Sequence, residues 1–168
     1  MPRSFALSVE SPAGVEHILA AFGDQRYWKA RLAAFDNGTA TLDGLSVDAD
    51  GVVTVALMVS LFANRLPKLI TALVPGEFEM ARTETWRPTG DGHARGTIEV
   101  AVPGAPVNAV GQVLLASMDT GSRLEFSTTV QVDIPLVGGQ VENFILGRLG
   151  DEISAVQRFT NRWIAENR

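Results

Sequence analysis

The chain contains no cysteine, which excludes disulfides, thiolate metal sites and cysteine nucleophiles together. Its only histidines, His17 and His93, lie far apart in sequence, and two such residues without cysteine make no metal site. No apolar run reaches the roughly 18 residues that a membrane-spanning helix needs. The first ten residues, Met-Pro-Arg-Ser-Phe-Ala-Leu-Ser-Val-Glu, lack the apolar core of a secretory signal. A cytoplasmic location without stable membrane insertion is therefore expected. Basic residues are few and scattered, 14 against 19 acidic ones, giving a net charge of −5. Nucleic-acid binding wants Lys and Arg gathered on one face, so it is not expected. Gly-x-Ser-x-Gly, Walker and dinucleotide fingerprints are all missing. Neither cofactor nor metal is anticipated.

What is present suits one globular domain over residues 1–168. Hydrophobic residues make up 46% of the chain, ample for a packed interior. Phe5, Leu7 and Val9 alternate with polar residues and predict a first strand. Ser11-Pro12 predicts a helix start, a capping hydroxyl followed by proline at the first helical position. Val15, Ile18, Leu19 and Phe22 then fall at helical spacing, and Gly23 ends the run. Asp24 caps a second short helix carrying Tyr27, Trp28, Leu32 and Phe35. Turn signals follow at Asp36-Asn37-Gly38, Asp50-Gly51, Gly90-Asp91-Gly92, Pro103-Gly104 and Thr120-Gly121-Ser122. They divide the rest into strands near 39–48, 52–61, 77–87, 94–102, 107–118 and 123–134. The Asn37-Gly38-Thr39 sequon reads as a hairpin turn. Asp48 and Asp50 shape another turn. Between Asn64 and Pro75 the meander is interrupted by a short helix or an apolar loop.

After the last strand come Pro135, Gly138 and Gly139, then a helix of roughly 25 to 30 residues judged by its apolar period. Val141, Phe144, Ile145, Leu149, Ile153, Val156, Phe159 and Trp163 form its stripe. In the strand before it, Leu124, Phe126, Thr128, Val130, Val132 and Ile134 share one face, opposite a polar one. That pattern describes a sheet with one wet and one covered side. Gly138, Gly139, Gly147 and Gly150 permit close approach to the sheet, form a mobile lip over a cavity, or simply fray the start of a core helix. An α+β domain with one antiparallel sheet is the layer arrangement this order implies.

One strand is unusual. Phe78, Met80, Arg82, Glu84 and Trp86 fall on a single face, so two charges share it with three large apolar groups. If the face turns inward, the pair must satisfy each other or a ligand, because unpaired burial costs several kcal/mol. Arg82 would then orient a carboxylate or hydroxyl head, with Glu84 holding the guanidinium. If the face is open, both are ordinary surface charges.

The order strand, two short helices, six-strand meander and long helix resembles the helix-grip fold. START lipid-transfer domains, the birch-pollen-allergen family and polyketide cyclase-like proteins share it. Val132-Asp133-Ile134-Pro135-Leu136-Val137-Gly138-Gly139-Gln140-Val141-Glu142 resembles the sheet-to-helix junction of an uncharacterised actinobacterial START-like family. The resemblance implies a curved sheet of about seven strands wrapped around the long helix. It also implies a lipid, fatty acid, sterol or polyketide between the two, for transport or sequestration. Lining residues would be Tyr27, Trp28, Leu57, Val59, Phe78, Met80, Arg82, Glu84, Trp86, Phe126, Val141, Phe144, Ile145 and Leu149. Tyr27 and Trp28 line an entrance or belong to plain core. Full burial of a ten-carbon chain would gain roughly 8 kcal/mol before the costs of association. Two rival readings stay open. One is an enzyme of cyclase, hydrolase or dehydratase type using Glu84 or an Asp as a general base of raised pKa, with no catalytic residue assigned. The other is an interaction module whose core is filled by its own side chains. Leu42, Val53, Val55, Leu57, Val59 and Leu61 would suit such a core, or the edge of a homodimer.

Overall fold

The computed structural model describes residues 3–36, 40–61, 78–102, 107–133, 136 and 138–167. The turns at 37–39 and 103–106, the interruption at 64–75 and residues 134, 135 and 137 lie outside them, as do the side chains of Leu61 and Phe78. In chain order the elements are β1 (Arg3–Ser11), α1 (Val15–Phe22), α2 (Gln25–Asp36), β2 (Ala40–Val47), β3 (Val53–Leu61), β4 (Phe78–Pro88), β5 (Ala94–Ala101), β6 (Val107–Met118), β7 (Gly121–Val132) and α3 (Gly138–Glu166). The strands build one antiparallel sheet in the order β1-β7-β6-β5-β4-β3-β2. This is the helix-grip order expected above.

Hairpin chemistry explains the meander. Asp48 Oδ1 accepts the Asp50 and Val52 N–H groups at 2.8 and 3.0 Å, and Gly51 supplies the positive φ of 81° that closes the β2–β3 turn. Asp24 caps α2 by accepting the Arg26 N–H at 2.8 Å. The start of α1 departs from expectation. Ser11 does not cap it; the helix begins at Val15 behind Gly14, without a side-chain cap. The Ser11 hydroxyl is taken instead by the Ala13 N–H at 3.1 Å and by Asn161 of α3. The Ala13 carbonyl accepts the Ser122 hydroxyl at 2.7 Å. Tertiary hydrogen bonds thus claim the groups that the local pattern had assigned to the cap. Of the two strands expected to suit a core or a dimer edge, β3 is hydrogen-bonded on both sides, and only β2, which carries Leu42, lies at an edge of the sheet.

The sheet has a packed inner face and a wet outer one, visible in β7 as strict alternation of buried and exposed residues. Cross-strand register lines the inner residues up in rows. One row runs Val53, Trp86, Gly96, Val113, Phe126, Leu7. Another runs Leu57, Arg82, Val100, Ala109, Val130. In the first row, Trp86 lies flat over Gly96, where an added Cβ would stand 2.5 Å from its ring. Phe126 lies over Gly111 in the same way, at 2.8 Å. The main core gathers around Trp86 with Phe22, Tyr27 and Trp28. The Phe22 and Trp86 ring centres are 4.7 Å apart.

α3 packs on β1, β7 and both short helices. Among the described residues no comparable backbone approach joins it to β3, β4 or β5. No helix among them is long and apolar enough to cross a membrane.

Gly96→Ala should lower stability by about 1–3 kcal/mol, the usual cost of overpacking. Urea unfolding would show this, and the loss should shrink in a Trp86→Leu background. An equal penalty in both backgrounds would mean that the ring contact is not its cause.

Candidate functional site

The period of β4 carries Met80, Arg82, Glu84 and Trp86 to the inner face. Glu84 is 1% exposed and Trp86 3%; Met80 and Arg82 are half-buried. Glu84 therefore sits where a carboxylate needs compensation on every side. Its Oε1 accepts the Trp86 indole N–H at 3.1 Å. Its Oε2 lies 2.8 Å from Arg82 Nε, too far off the N–H direction for a linear hydrogen bond, and 4.0 Å from Arg31 Nη2. Burial pushes the Glu84 carboxyl up, but the Arg82 and Arg31 guanidiniums and the indole N–H together hold it below its ordinary 4.5. Held this way, Glu84 lacks the raised pKa that its part in the enzymatic reading required.

Arg31 comes from α2 and continues the polar chain. Its guanidinium lies 4.6 Å above the Trp28 ring, and its Nη1 donates to the Tyr27 hydroxyl at 3.4 Å. That hydroxyl is 2.7 Å from Thr160 Oγ1, which in turn donates to the Val156 carbonyl at 2.9 Å. Arginine has no acceptor and the Val156 carbonyl no proton. The direction is thus set throughout: Arg31 gives to Tyr27, Tyr27 to Thr160, Thr160 to the α3 backbone. Sequence reasoning placed Arg82 and Glu84 on one face but missed Arg31 and Thr160. Neither is apolar, and their meeting depends on packing across the molecule.

The remaining expected lining residues separate into groups. Tyr27 and Trp28 are both fully buried, and the Trp28 N–H is taken by the Phe22 carbonyl at 2.7 Å. They are core rather than an entrance. Leu57 and Val59 are buried on β3, opposite Arg82 and Met80. Phe126 is buried in the main core, and Leu149 packs against that core. Val141 belongs with Val130 and Val132 to a second cluster, which Ala109, Ile145 and Leu146 flank. Phe144 belongs to neither cluster. It lies about 200° around the helix from Glu142, half-buried beneath the Arg148 guanidinium at 4.6 Å. The structure does not bring it to the others. Phe78 lies in β4, its side chain outside the described residues. His17 is exposed, and His93 Nδ1 accepts the Ser117 N–H at 2.8 Å.

A second buried carboxylate, Glu142, anchors the helix start. It is fully buried, accepts the Val132 N–H at 2.9 Å and lies 3.7 Å from Arg3 Nε. Gly138 permits this close approach, since a Cβ there would stand 2.4 Å from the Val132 carbonyl oxygen. Gly147 faces open space, so close packing does not account for it. Two surface hollows, lined by residues such as Ala6, Gln112 and Ser127, lie on the outer face of β1, β7 and β6. They are separate from the Arg82–Glu84 cluster. No group of metal-ligating side chains occurs among the described residues.

Solved structures place the architecture in the helix-grip class. A Thermus thermophilus protein, TTHA0849, matches with a TM-score of 0.58 and 12% identity, over 98% of each chain. Norcoclaurine synthase from Thalictrum flavum, solved with dopamine and hydroxybenzaldehyde, matches with a TM-score of 0.58 and 11% identity. That match covers 100% of this chain and 89% of the synthase. Ara h 8.0201 gives 0.57 at 11% identity, over 99% and 100%. Within that class the chain belongs to the family described as "Protein of unknown function (DUF2505)", whose model matches residues 6–164. Its relatives include uncharacterized proteins of Mycobacterium tuberculosis (Rv0481c) and Mycobacterium bovis (Mb0491c). Each is 37% identical over 173 residues, spanning 99% of both chains.

Glu84→Gln should cost about 3–5 kcal/mol at neutral pH, because it leaves the buried Arg31 and the half-buried Arg82 short of their counter-charge. Glu84 has a depressed folded pKa, so its contribution is present above the ordinary 4.5 and is lost as pH falls through the folded value. Urea unfolding across pH should show the native protein and the variant converging only in acid. A gap that stays constant down to low pH would contradict the assignment.

Proposed function

We propose that the protein binds a small apolar ligand between the inner face of the sheet and α3, with the ligand's polar end towards Arg82. The observation carrying this reading is the inward row Arg82–Val100–Ala109, on strands that α3 does not pack against as it does on β1 and β7 among the described residues. Met80, Ile98, Val100 and Ala109 point inward yet stay only half-buried. At the other end of the sheet the equivalent positions Trp86, Ala94, Val113 and Leu115 are closed into the core. Apolar side chains facing a protein interior without being covered are the lining that ligand pockets have. The fold supports the reading, since norcoclaurine synthase, with the same architecture, has been solved holding two small aromatic molecules.

The ligand would be a lipid, fatty acid, sterol or polyketide, carried or sequestered in the cytoplasm by one domain spanning the chain. The rival enzymatic role for Glu84 draws no support from its surroundings, which lower its pKa where a general base needs it near the working pH. The filled-core reading describes the Trp86 end of the molecule but not the Arg82 end.

Ala109→Phe places a ring in the proposed space without touching the main core. The variant should keep its unfolding transition and lose affinity for a neutral apolar dye such as Nile red by tenfold or more. Unchanged dye binding in a folded variant would place the ligand elsewhere. Native mass spectra of protein purified without detergent should show a non-covalent adduct that vanishes on denaturation.

A further inference from the structure

We infer that the ligand is an amphiphile with an anionic head, a carboxylate seated on the Arg82 guanidinium, with its tail crossing the inner face towards Val130. This rests on the ligand-binding reading above and narrows it to one chemical class.

Both oxygens of Glu84 face protein groups: Oε1 the Trp86 N–H, Oε2 the Arg82 and Arg31 guanidiniums. The Tyr27 oxygen accepts from Arg31, and its proton goes to Thr160, whose own proton goes to the Val156 carbonyl. The side-chain acceptors of this cluster thus face donors of the protein itself, Glu84 Oε2 by ion pairing with the two guanidiniums. What the cluster turns towards the half-open row is Arg82, whose side chain is 29% exposed. A guanidinium offers donors only, in a planar fork that matches the two oxygens of a carboxylate. Such a subsite favours a charged acceptor. An alcohol brings one neutral oxygen and cannot fill the fork, and an ammonium head would meet two guanidiniums with no acceptor left for it.

The surroundings assign the tail its direction. On one side of Arg82 the inner face is closed by Trp86 and the core around it. On the other, the row continues through Val100 and Ala109 to Val130. Three strand intervals separate β4 from β7, roughly 14 Å at the usual spacing. Along that path the inward groups are small and apolar, and they end at the second apolar cluster beneath Ile145 and Leu146.

The test is calorimetric titration of the unaltered protein with dodecanoate, dodecanol and dodecylammonium. Dodecanoate should bind at least tenfold more tightly than the other two, the scale of one charge-assisted hydrogen bond. Arg82→Met should erase that preference. Arg82→Lys, which keeps the charge near Glu84 but not the fork, should reduce it without erasing it. Equal affinity for acid and alcohol in the unaltered protein would overturn the anionic head and leave apolar binding intact. Binding of none of the three would overturn the ligand-binding reading itself. The comparison in unaltered protein decides the matter even if a variant fails to fold.

Discussion

A carboxylate that water does not reach must be answered by the fold around it, and Glu84 obliges distant parts of this chain to meet. β4 supplies the carboxylate, Arg82 and the Trp86 indole, while α2 brings Arg31 across the open side of the sheet. Through Tyr27 and Thr160 the same chain of contacts reaches the last helix. Apolar burial drives such layers together without choosing one register over another. A buried ion pair adds a condition that a shifted α2 or a slipped β4 would violate. The net energy of such a group against an apolar replacement is often small, so its value here lies in the geometry it imposes.

The two halves of the inner face follow from this arrangement. Where Arg31 and the aromatic residues of α1 and α2 descend onto β4, the interior fills completely. Beyond Arg82 no further helix of the first half of the chain occurs among the described residues, and α3 leans towards β1 and β7. Small side chains on β5 and β6 leave the intervening floor thinly covered. The charged cluster stands at the boundary between the filled half and the half-open one.

Much of this could be read in the chain because strand period and turn chemistry act over a few residues. The strands fell between Asp-Gly and Gly-Asp-Gly signals, and a period of two put Arg82 and Glu84 on the face of Trp86. What escaped had long-range causes. Arg31 looks like any surface arginine of a short helix until its Cα is set above β4. Glu142, Gln157 and Thr160 interrupt the apolar stripe of α3, yet all are buried, Glu142 and Thr160 because they meet partners on β7 and α2. Conversely Phe144 fits the stripe by spacing but faces away, since Glu142 and Thr160 decide which side of the helix is inner. At Ser11 a sound capping signal lost to tertiary hydrogen bonds that no local rule contains.

The flat seating of Trp86 on Gly96 and of Phe126 on Gly111 binds each pair into a single unit of inheritance. The ring occupies the volume that a side chain on the neighbouring strand would need. Evolution cannot enlarge the glycine while keeping the ring, nor shrink the ring without opening a void over the glycine. Descendants of this sequence should change both members together or neither. In a comparison of relatives these four positions should therefore drift as two coupled columns, recording the register of β4 on β5 and of β6 on β7.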